Sequence, residues 1–366
     1  MSLLGVRASR PQRQNGRALE EQFMKSILVT GATGFLGKHL IEQLKASLGS
    51  ESGAPSQERL RILCRGASPW DNDPQVEAAR GDVTSERDVE RAMEGVSEIY
   101  HLAGVVSRDP AKSGLMYQTH VQGTRNVCQA ALRQRARKVV HVSSSGTIAV
   151  SREPVAHDEK SGYKHELVGE WPYYLSKIFA DKLALSYFEQ HKLPVVVVNP
   201  SLLLGPGDDR GSSTRDVALF LRGQILAVPL GGLNFVDARD AAAGLVAAMR
   251  SGKPGERYLL GGANWSFRGF VQNLAQVSGV RGPRIQPPLG ISLLSARVLR
   301  RLLPLIGKSF ALDDASIKMS ALYWYCDSTK ARTELGLQTR DPIETLRDTV
   351  DYLRRRQGTE RTRMEA

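Results

Sequence analysis

The sequence predicts an α/β fold: a doubly wound parallel sheet followed by a smaller C-terminal lobe. Through the first 200 residues, short apolar runs alternate with segments of helical periodicity. This alternation is typical of a parallel sheet with helices on both faces. Beyond about residue 200, glycine and proline become dense and strand signals become short. The length of 366 residues is sufficient for two such lobes.

The predicted strands are short apolar runs, and the predicted helices have apolar residues three or four positions apart. The strands are placed at 26–30, 60–64, 97–102, 137–143 and 194–199. The helices are placed at 36–48, 85–94, 115–135, 173–191 and 237–250. We therefore predict a sheet domain over residues 24–200, to which segments of the C-terminal half return, and a lobe that occupies most of residues 201–350.

Both ends of the chain are polar. Residues 1–23 contain four arginines and no acid before Glu20, which predicts a disordered tail. A transit peptide and a start codon assigned too early are the alternatives. Residues 351–366 are predicted to form a second polar tail. No apolar stretch is long enough for a membrane-spanning helix, so no integral membrane segment is predicted.

The chain is basic, with 50 Lys and Arg against 38 Asp and Glu and a formal charge of +12. Such an excess raises the question of nucleic-acid binding. The basic residues are scattered and form no stripe interleaved with aromatic residues, so no nucleic-acid partner is predicted. The three cysteines are odd in number and form no C-x-x-C pair, which argues against a zinc ribbon or a disulfide framework and favours a reducing compartment. We therefore predict a cytoplasmic protein.

A glycine-rich turn follows the first strand and precedes the first helix. Its glycines have the spacing G-x-x-G-x-x-G, which allows a tight turn and brings backbone close to a pyrophosphate at a helix N-terminus. This context predicts a Rossmann-type dinucleotide site. The residues predicted to bind the cofactor in this turn are Gly31, Thr33, Gly34, Phe35, Leu36 and Gly37.

The residue after the second strand indicates which dinucleotide is bound. Arg65 lies there, and residues 59–69 contain no acid that could accept the ribose hydroxyls of NAD(H). Arginine at this place accommodates a 2′-phosphate, so NADP(H) is predicted over NAD(H). Asp82 and Val83, expected after a short helical approach, are assigned to the adenine end. Leu102, Ala103 and Gly104 end the next strand with residues small enough to lie against the cofactor.

Tyr173 and Lys177 form a Y-x-x-x-K pair, which lies on one face of a helix. An ammonium group beside a phenol favours the phenolate and is expected to lower the tyrosine pKa. Such a tyrosine can transfer the proton that accompanies hydride transfer. A run of three serines, Ser143 to Ser145, ends the strand before this helix, and one of them could polarise a substrate oxygen.

Taken together, the motifs resemble those of the extended short-chain dehydrogenase/reductase family over about residues 25–210. They occur in the family order as TGATGFLG, GDVT, HLAG, THVQGTRN, VSSSG, YYLSK and NPSLLLGPGD. Later segments, among them FLRGQILAVPLGGLNFVDARDAAAGL and DSTKARTELGL, are similar to the dihydroflavonol-4-reductase-like branch of the NAD-dependent epimerase/dehydratase superfamily. The resemblance thus extends to about residue 340.

The resemblance implies a Ser–Tyr–Lys catalytic site. Tyr173 and Lys177 match its tyrosine and lysine, and Ser145 matches its serine best, with Ser144 as the alternative. Lysine also holds the nicotinamide ribose in this family. The other cofactor contacts implied are Tyr173 itself, Ser143 and Pro200, the last of which follows Asn199. The chain departs from the family at His120, where an asparagine is usual, so any hydrogen bond of that asparagine is in doubt.

The predicted function is an NADP(H)-dependent oxidoreductase that interconverts a carbonyl and a secondary alcohol on a bulky, rather apolar small molecule. The alternatives are an NAD-dependent nucleotide-sugar epimerase or dehydratase and a non-catalytic dinucleotide-binding regulator. Nucleotide-sugar enzymes of the family carry an arginine for the diphosphate in the stretch equivalent to residues 232–237, and this stretch has none. Arg215 or Arg222 could substitute for it. The regulator is disfavoured because Tyr173 and Lys177 are both present.

Two further segments concern partners. Residues 289–306 are strongly apolar but contain Arg297, Arg300 and Arg301. Such a helix suits a buried core, the wall of a hydrophobic pocket or contact with a membrane surface. The helices at 115–135 and 173–191 match those that many relatives use to dimerise, so the resemblance also implies a homodimer.

Overall fold

The computed structural model describes residues 26–49, 59–302, 304 and 314–365, and the predicted tail over residues 1–23 lies outside them. The strands are β1 (Ser26–Thr30), β2 (Arg59–Cys64), β3 (Val76–Arg80), β4 (Glu98–His101), β5 (Lys138–Val142), β6 (Val195–Pro200), β7 (Leu202–Leu204), β8 (Gly232–Asp237), β9 (Arg257–Leu260), β10 (Ala263–Ser266) and β11 (Tyr323–Trp324).

The helices cover both faces of the main sheet and continue into the C-terminal lobe. They are α1 (Phe35–Gly49), α2 (Glu86–Met93), α3 (Ser113–Tyr117), α4 (Gly123–Arg133), α5 (His165–Val168), α6 (Pro172–His191), α7 (Arg215–Leu221), α8 (Ala238–Ser251), α9 (Phe267–Ser278), α10 (Leu289–Leu302), α11 (Asp314–Ser320) and α12 (Pro342–Glu365). A π-helical turn, Gln118–Gln122, joins α3 to α4.

The main sheet is parallel throughout and has the strand order β3-β2-β1-β4-β5-β6-β9. The chain winds outward from β1 in one direction and then from β4 in the other. The predicted Rossmann-type doubly wound α/β fold is therefore confirmed. The reversal of direction opens a crevice at the carboxyl ends of β1 and β4, where such sheets bind their ligands.

Two strands of the main sheet were not predicted. β3 contains only one apolar residue that is buried, Val76, and its remaining residues are half-buried or exposed. The prediction that Asp82 and Val83 follow a helical approach is therefore wrong, because β3 leads into them. β9 returns from the C-terminal half and pairs with β6 at the edge of the sheet.

Alternation along the strands divides the core into two layers. Within β1, Ile27 and Val29 pack on one side with α1 and α8, and Leu28 packs on the other with α2, α4 and α6. Successive side chains of a strand point to opposite faces, so a run of apolar residues fits a sheet that is covered on both sides.

The C-terminal lobe contains a second, smaller sheet in which β8 pairs with β7, β10 and β11. Phe235 of this sheet packs with Phe270 of α9 and with Leu346 of α12. The polar tail predicted over residues 351–366 instead continues α12 to Glu365. Leu353 of this segment is buried against the lobe, since it repeats the helical spacing of the buried residues that precede it.

The lobe is tied to the first helix of the sheet domain by the loop after β7. Pro206 O forms a hydrogen bond with His39 Nε2 over 2.8 Å, and Asp209 pairs with Lys38. The buried carboxylate of Asp208 holds the loop in shape, because it accepts hydrogen bonds from Ser212, Ser213 and Thr214.

The sequence predicted no integral membrane segment and no disulfide framework, and the structure bears on both. Within the described ranges, none of the helices combines the length and apolar character that crossing a bilayer requires. Cys64, Cys128 and Cys326 all fall in these ranges, where each is buried and free.

Candidate active site

The glycine-rich turn between β1 and α1 is crowded by backbone. Gly31 has a φ of +75°, and a Cβ atom on it would lie 2.6 Å from the carbonyl carbon of Leu102. A Cβ atom on Gly37 would lie 2.3 Å from the carbonyl oxygen of Gly31. Real Cβ atoms do not approach backbone so closely, so both positions require glycine. The turn thereby exposes a helix N-terminus to the crevice, which fits a pyrophosphate.

The other predicted residues of the turn surround this N-terminus. Thr33 and Gly34 are half-buried. Phe35 and Leu36 begin α1 with their side chains buried, so any contact they make with an anion comes from backbone N–H groups. The first turn of α1 contains no acidic residue that would repel a phosphate.

The residues predicted for the adenosine end lie together at the ends of β2 and β3. Arg65 directly follows β2 and its side chain is 68% exposed. Its Nη1 atom is 3.9 Å from Oδ2 of Asp82, which follows β3. Val83 is buried, and its carbonyl oxygen accepts a hydrogen bond from Asn126 on α4. A weak, exposed ion pair of this kind leaves the guanidinium accessible to a phosphate.

The segment after β4 joins the cofactor crevice to the proposed catalytic groups. The backbone N–H groups of Leu102 and Ala103 donate to the carbonyl and hydroxyl oxygens of Thr30. A Cβ atom on Gly104 would lie 3.1 Å from His120 Nε2 and 3.5 Å from Lys177 Nζ. The small residues predicted here therefore allow the backbone to pass beside the lysine.

Tyr173 and Lys177 lie one turn apart on α6, and Ser144 meets the tyrosine. The Ser144 side chain lowers the pKa of the Tyr173 phenol, and its Oγ atom accepts a hydrogen bond from Gly146 N–H over 3.3 Å. The Ser144 backbone is extended, with φ −149° and ψ 143°, and its carbonyl oxygen accepts a hydrogen bond from Asn199 Nδ2. Pro200 follows at the buried end of β6.

Ser144 and Ser145 have different backbone conformations, and the assignment of Ser145, with Ser144 as the alternative, stays a prediction. Ser145 begins a 3₁₀ turn, Ser145–Thr147, and its side chain is buried. The extended conformation of the chain ends at Ser144, so the turn directs the two successive side chains differently. The sequence pattern does not show this difference in backbone conformation between Ser144 and Ser145.

Ser143, predicted to contact the cofactor, uses its hydroxyl elsewhere. This hydroxyl donates to Asp181 Oδ2 over 2.7 Å, and Oδ1 of Asp181 lies 3.2 Å from His141 Nε2. One turn earlier on α6, Lys177 Nζ donates to the carbonyl oxygen of Val142 over 2.9 Å. The side chains of α6 thus bind the end of β5 through two adjacent sets of hydrogen bonds.

Burial determines the pKa values of the two titratable groups. It lowers the pKa of Lys177 to about 8, against a partial opposing effect of Asp181. It raises the pKa of Tyr173 to about 12, although the Ser144 side chain acts in the opposite direction. The expected lowering of the tyrosine pKa by lysine is not found in the protein alone, because desolvation of the phenol dominates and the ammonium group donates to Val142.

His120 lies in the π-helical turn and links the cofactor segment to α6. Its Nε2 atom accepts a hydrogen bond from Val105 N–H over 3.0 Å, so Nδ1 carries the ring proton and donates to Ser176 Oγ over 2.8 Å. Ser176 in turn donates to the carbonyl oxygen of Tyr173. Burial lowers the histidine pKa to about 2, which keeps the ring neutral. The residue that departs from the family pattern therefore makes its own set of hydrogen bonds.

An aromatic wall, formed by Trp171, Tyr174 and Trp324, borders the Ser144–Tyr173 pair. Tyr174 stacks on Trp324 with ring centroids 5.0 Å apart, and it contacts the ring of Tyr173 edge to face. A Cβ atom on Gly146 would lie 2.3 Å from Cε1 of Tyr174. The sequence does not predict this wall, because Trp324 lies far along the chain and belongs to no recognisable motif.

Comparisons with known proteins agree with this architecture. The model of the NAD dependent epimerase/dehydratase family matches residues 27–261. A putative dihydroflavonol 4-reductase from Synechocystis is 33% identical over 89% of this chain and 94% of its own length. Sterol demethylase protein B from Methylococcus capsulatus is 31% identical over 90% of this chain and 99% of its own. The crystal structure of gox2253 superposes with a TM-score of 0.76 at 29% identity and covers 91% of this chain and 98% of its own.

The hydrogen bonds of His120 lead to a first prediction. In His120→Ala, Val105 N–H and the Ser176 hydroxyl lose a buried partner, so we expect the dissociation constant for NADPH to rise about tenfold. His120→Asn is expected to fall between Ala and the wild type, because the shorter side chain can reach only one partner. Fluorescence titration measures both, and the exposed His191→Ala variant is the control. Unchanged affinity in His120→Ala would contradict the linking role.

The buried Lys177 leads to a second prediction. Its pKa in the folded protein, about 8, lies below the ordinary 10.5. The folded protein therefore binds fewer protons than the unfolded chain between these values, and wild-type stability should rise with pH across this window. Lys177→Met should increase the free energy of unfolding at pH 7 by up to about 3 kcal/mol and remove this pH dependence.

Chemical denaturation at pH 7 and at about pH 10 measures the effect. Lys182→Met is the matched control, because Lys182 is an exposed lysine on the same helix. Equal destabilisation of Lys177→Met at both pH values would show that the ammonium group does not carry the desolvation cost inferred here.

Proposed function

The chain belongs to the NAD dependent epimerase/dehydratase family, and we propose that it is an NADP(H)-dependent oxidoreductase that interconverts a carbonyl and a secondary alcohol. The proposed substrate is a bulky, rather apolar small molecule. The observation that carries the proposal is the position of Tyr173 one helical turn from the buried Lys177, which donates to the end of β5, with the aromatic wall against the tyrosine ring. That the protein is an enzyme of the extended short-chain dehydrogenase/reductase type follows from the family itself.

The nicotinamide cofactor, when bound, supplies or accepts the hydride. In the reductive direction, Tyr173 holds a proton at its hydroxyl and donates it to the substrate oxygen. Ser144 donates a hydrogen bond to the same oxygen and thereby orients the carbonyl group. Lys177, which is charged below a pH of about 8, favours the phenolate that proton donation leaves behind.

Arg65 supports the choice of NADP(H). Its guanidinium is exposed at the end of β2, where a 2′-phosphate of the adenosine ribose is bound in Rossmann-type sites. Asp82 lies on the adjacent strand end and is assigned to the adenine amino group. NAD(H) is the alternative cofactor, and it would use Asp82 for the ribose hydroxyls instead.

The aromatic wall supports an apolar substrate. Trp171, Tyr174 and Trp324 place ring surface beside the proposed catalytic hydroxyls, and ring surfaces bind apolar and planar groups well. Two relatives of high coverage are named for a dihydroflavonol and for a sterol, which are both bulky polycyclic molecules. We therefore propose a polycyclic ketone or secondary alcohol as the substrate class.

A nucleotide-sugar epimerase or dehydratase is the second candidate, because the family name includes both activities. The stretch that carries the diphosphate-binding arginine in such enzymes corresponds here to β8, which is buried along its whole length and has no cationic side chain. Arg215 at the start of α7 and Arg222 just beyond it remain as substitutes. A non-catalytic regulator is disfavoured because the chain keeps both Tyr173 and Lys177, which lie one turn apart on α6.

The assembly and location are also proposals. α3 and α6 expose Leu115 and Phe179, and Phe179 contacts the ring of Tyr117. Exposed apolar side chains on these neighbouring helices suit the homodimer that the resemblance implied. A cytoplasmic location agrees with three free cysteines.

The third prediction concerns turnover. With NADPH and a panel of steroid and flavonoid ketones, Tyr173→Phe should lower kcat/KM by about 100-fold or more, since the proton donor is lost. Ser144→Ala should lower it by about 100-fold, and Ser145→Ala should change it by less than about tenfold. NADPH consumption measures the rates, and an unchanged midpoint of chemical denaturation shows that the variants are folded. A larger loss in Ser145→Ala than in Ser144→Ala would reverse the serine assignment.

The fourth prediction concerns cofactor choice. Arg65→Ala should weaken NADPH binding by about tenfold and leave NADH binding unchanged, because only NADPH carries the 2′-phosphate. Fluorescence titration with both cofactors measures this, and the exposed Arg87→Ala variant on α2 is the control for loss of one positive charge. Equal weakening of both cofactors would contradict the role of Arg65.

A further inference from the structure

Helix α10 and the segment before it expose several large apolar side chains, which helices of a buried core do not. Ile285 and Leu294 are each 64% exposed, and Ile291, Val298 and Leu302 are exposed as well. Within α10 these residues are spaced three and four positions apart, so they share one face. Ala296 is the buried residue of the helix as described. A buried core, one of the three readings of the sequence, is therefore wrong for most of this helix.

The same segment belongs to a long stretch of the sequence whose charged residues are all basic. From residue 257 to residue 312 the sequence contains no Asp or Glu. The basic residues of this stretch are Arg257, Arg268, Arg281, Arg284, Arg297, Arg300, Arg301 and Lys308. Five of them fall within residues 281–302. The exposed side chains of residues 281–302, apolar and basic, together form what we call the α10 surface.

Basic side chains flank the apolar face of α10. Arg297 and Arg301 are exposed and adjacent in sequence to Val298 and Leu302. Arg297 lies 3.8 Å from Asp314 of α11, and Arg300 also pairs with Asp314, so one carboxylate is shared between two arginines. The α10 surface therefore keeps a positive excess.

We propose that the α10 surface docks on an anionic lipid bilayer. Apolar side chains of a helix can enter the interface between head groups and acyl chains, while long arginine side chains reach lipid phosphates from its flanks. A uniformly negative surface favours a segment without acidic residues. A protein partner would instead present mixed charges and would gain from acidic residues on this side, of which residues 257–312 have none.

The position of the α10 surface gives the docking a consequence for the proposed function, on which this step rests. Asp314 ties α10 to α11, and Ala315 and Met319 of α11 pack in the cluster that contains Tyr174 and Trp324. One helix thus separates the lipid-facing side chains from the aromatic wall. An apolar substrate dissolved in the bilayer would have a short route to the active site.

The test uses the full-length protein and vesicles without substrate. We expect the wild type to cosediment with vesicles of phosphatidylcholine and phosphatidylglycerol, and to bind pure phosphatidylcholine at least about tenfold more weakly. Arg297→Gln with Arg301→Gln should weaken binding to the anionic vesicles about tenfold, and added salt should weaken the wild type. Leu294→Ser with Val298→Ser should also weaken it. The charge control is Arg87→Gln with Arg152→Gln, two exposed arginines of the sheet domain.

Three outcomes would overturn the proposal. One is no cosedimentation of the wild type. Another is vesicle binding that the α10 substitutions leave unchanged, because the binding surface would then lie in another part of the chain. The third is a dimer or protein complex that Leu294→Ser with Val298→Ser dissociates while vesicle binding is absent. NADPH affinity, measured for every variant, shows that each is folded. Vesicle binding without carbonyl turnover would refute the proposed function and leave the docking intact.

Discussion

The hydrogen bonds that hold α6 to the end of β5 determine where the proposed catalytic groups lie. Lys177 donates to Val142, and one turn later Asp181 accepts from Ser143. These contacts fix both the rotation and the height of the helix on the sheet. Because residues four apart share a helix face, Tyr173 then faces the same strand end, where the chain places Ser144. The pairing of serine and tyrosine is thus a result of how one helix is attached to one strand.

This attachment requires charged and polar groups in the interior. Lys177, Asp181, His101 and His141 are all buried, and burial depresses the pKa of the lysine and of both histidines. Burying these charged and polar groups lowers the free energy of unfolding, and a well-packed sheet must offset this loss. The apolar layers on both faces of the sheet do so, since β1, β5 and β6 are buried along their whole length. The site and the core therefore depend on each other.

The fold and the family could be predicted from the sequence because their signals are local. A glycine turn between strand and helix, a tyrosine and a lysine four apart, and small residues at a strand end each act within a few positions. β3 escaped prediction because it is a sheet edge with one buried apolar residue, Val76, so no apolar run marks it. The catalytic serine is hard to assign for a related reason: Ser143, Ser144 and Ser145 are chemically identical, and the 3₁₀ turn that gives Ser144 and Ser145 different backbone conformations has no signature in the sequence.

The surroundings of the substrate depend instead on contacts between distant parts of the chain. Trp324 reaches Tyr174 because β11 pairs with β8 and because Ser151 forms a bridge with Tyr323. No spacing rule connects these positions, so the aromatic wall has no sequence signature. The same holds for α10, whose apolar periodicity fits a buried and an exposed helix equally well. The motifs that identify the family are thus short and local, whereas the surroundings of the proposed site depend on long-range packing that brings later segments over the same strand ends.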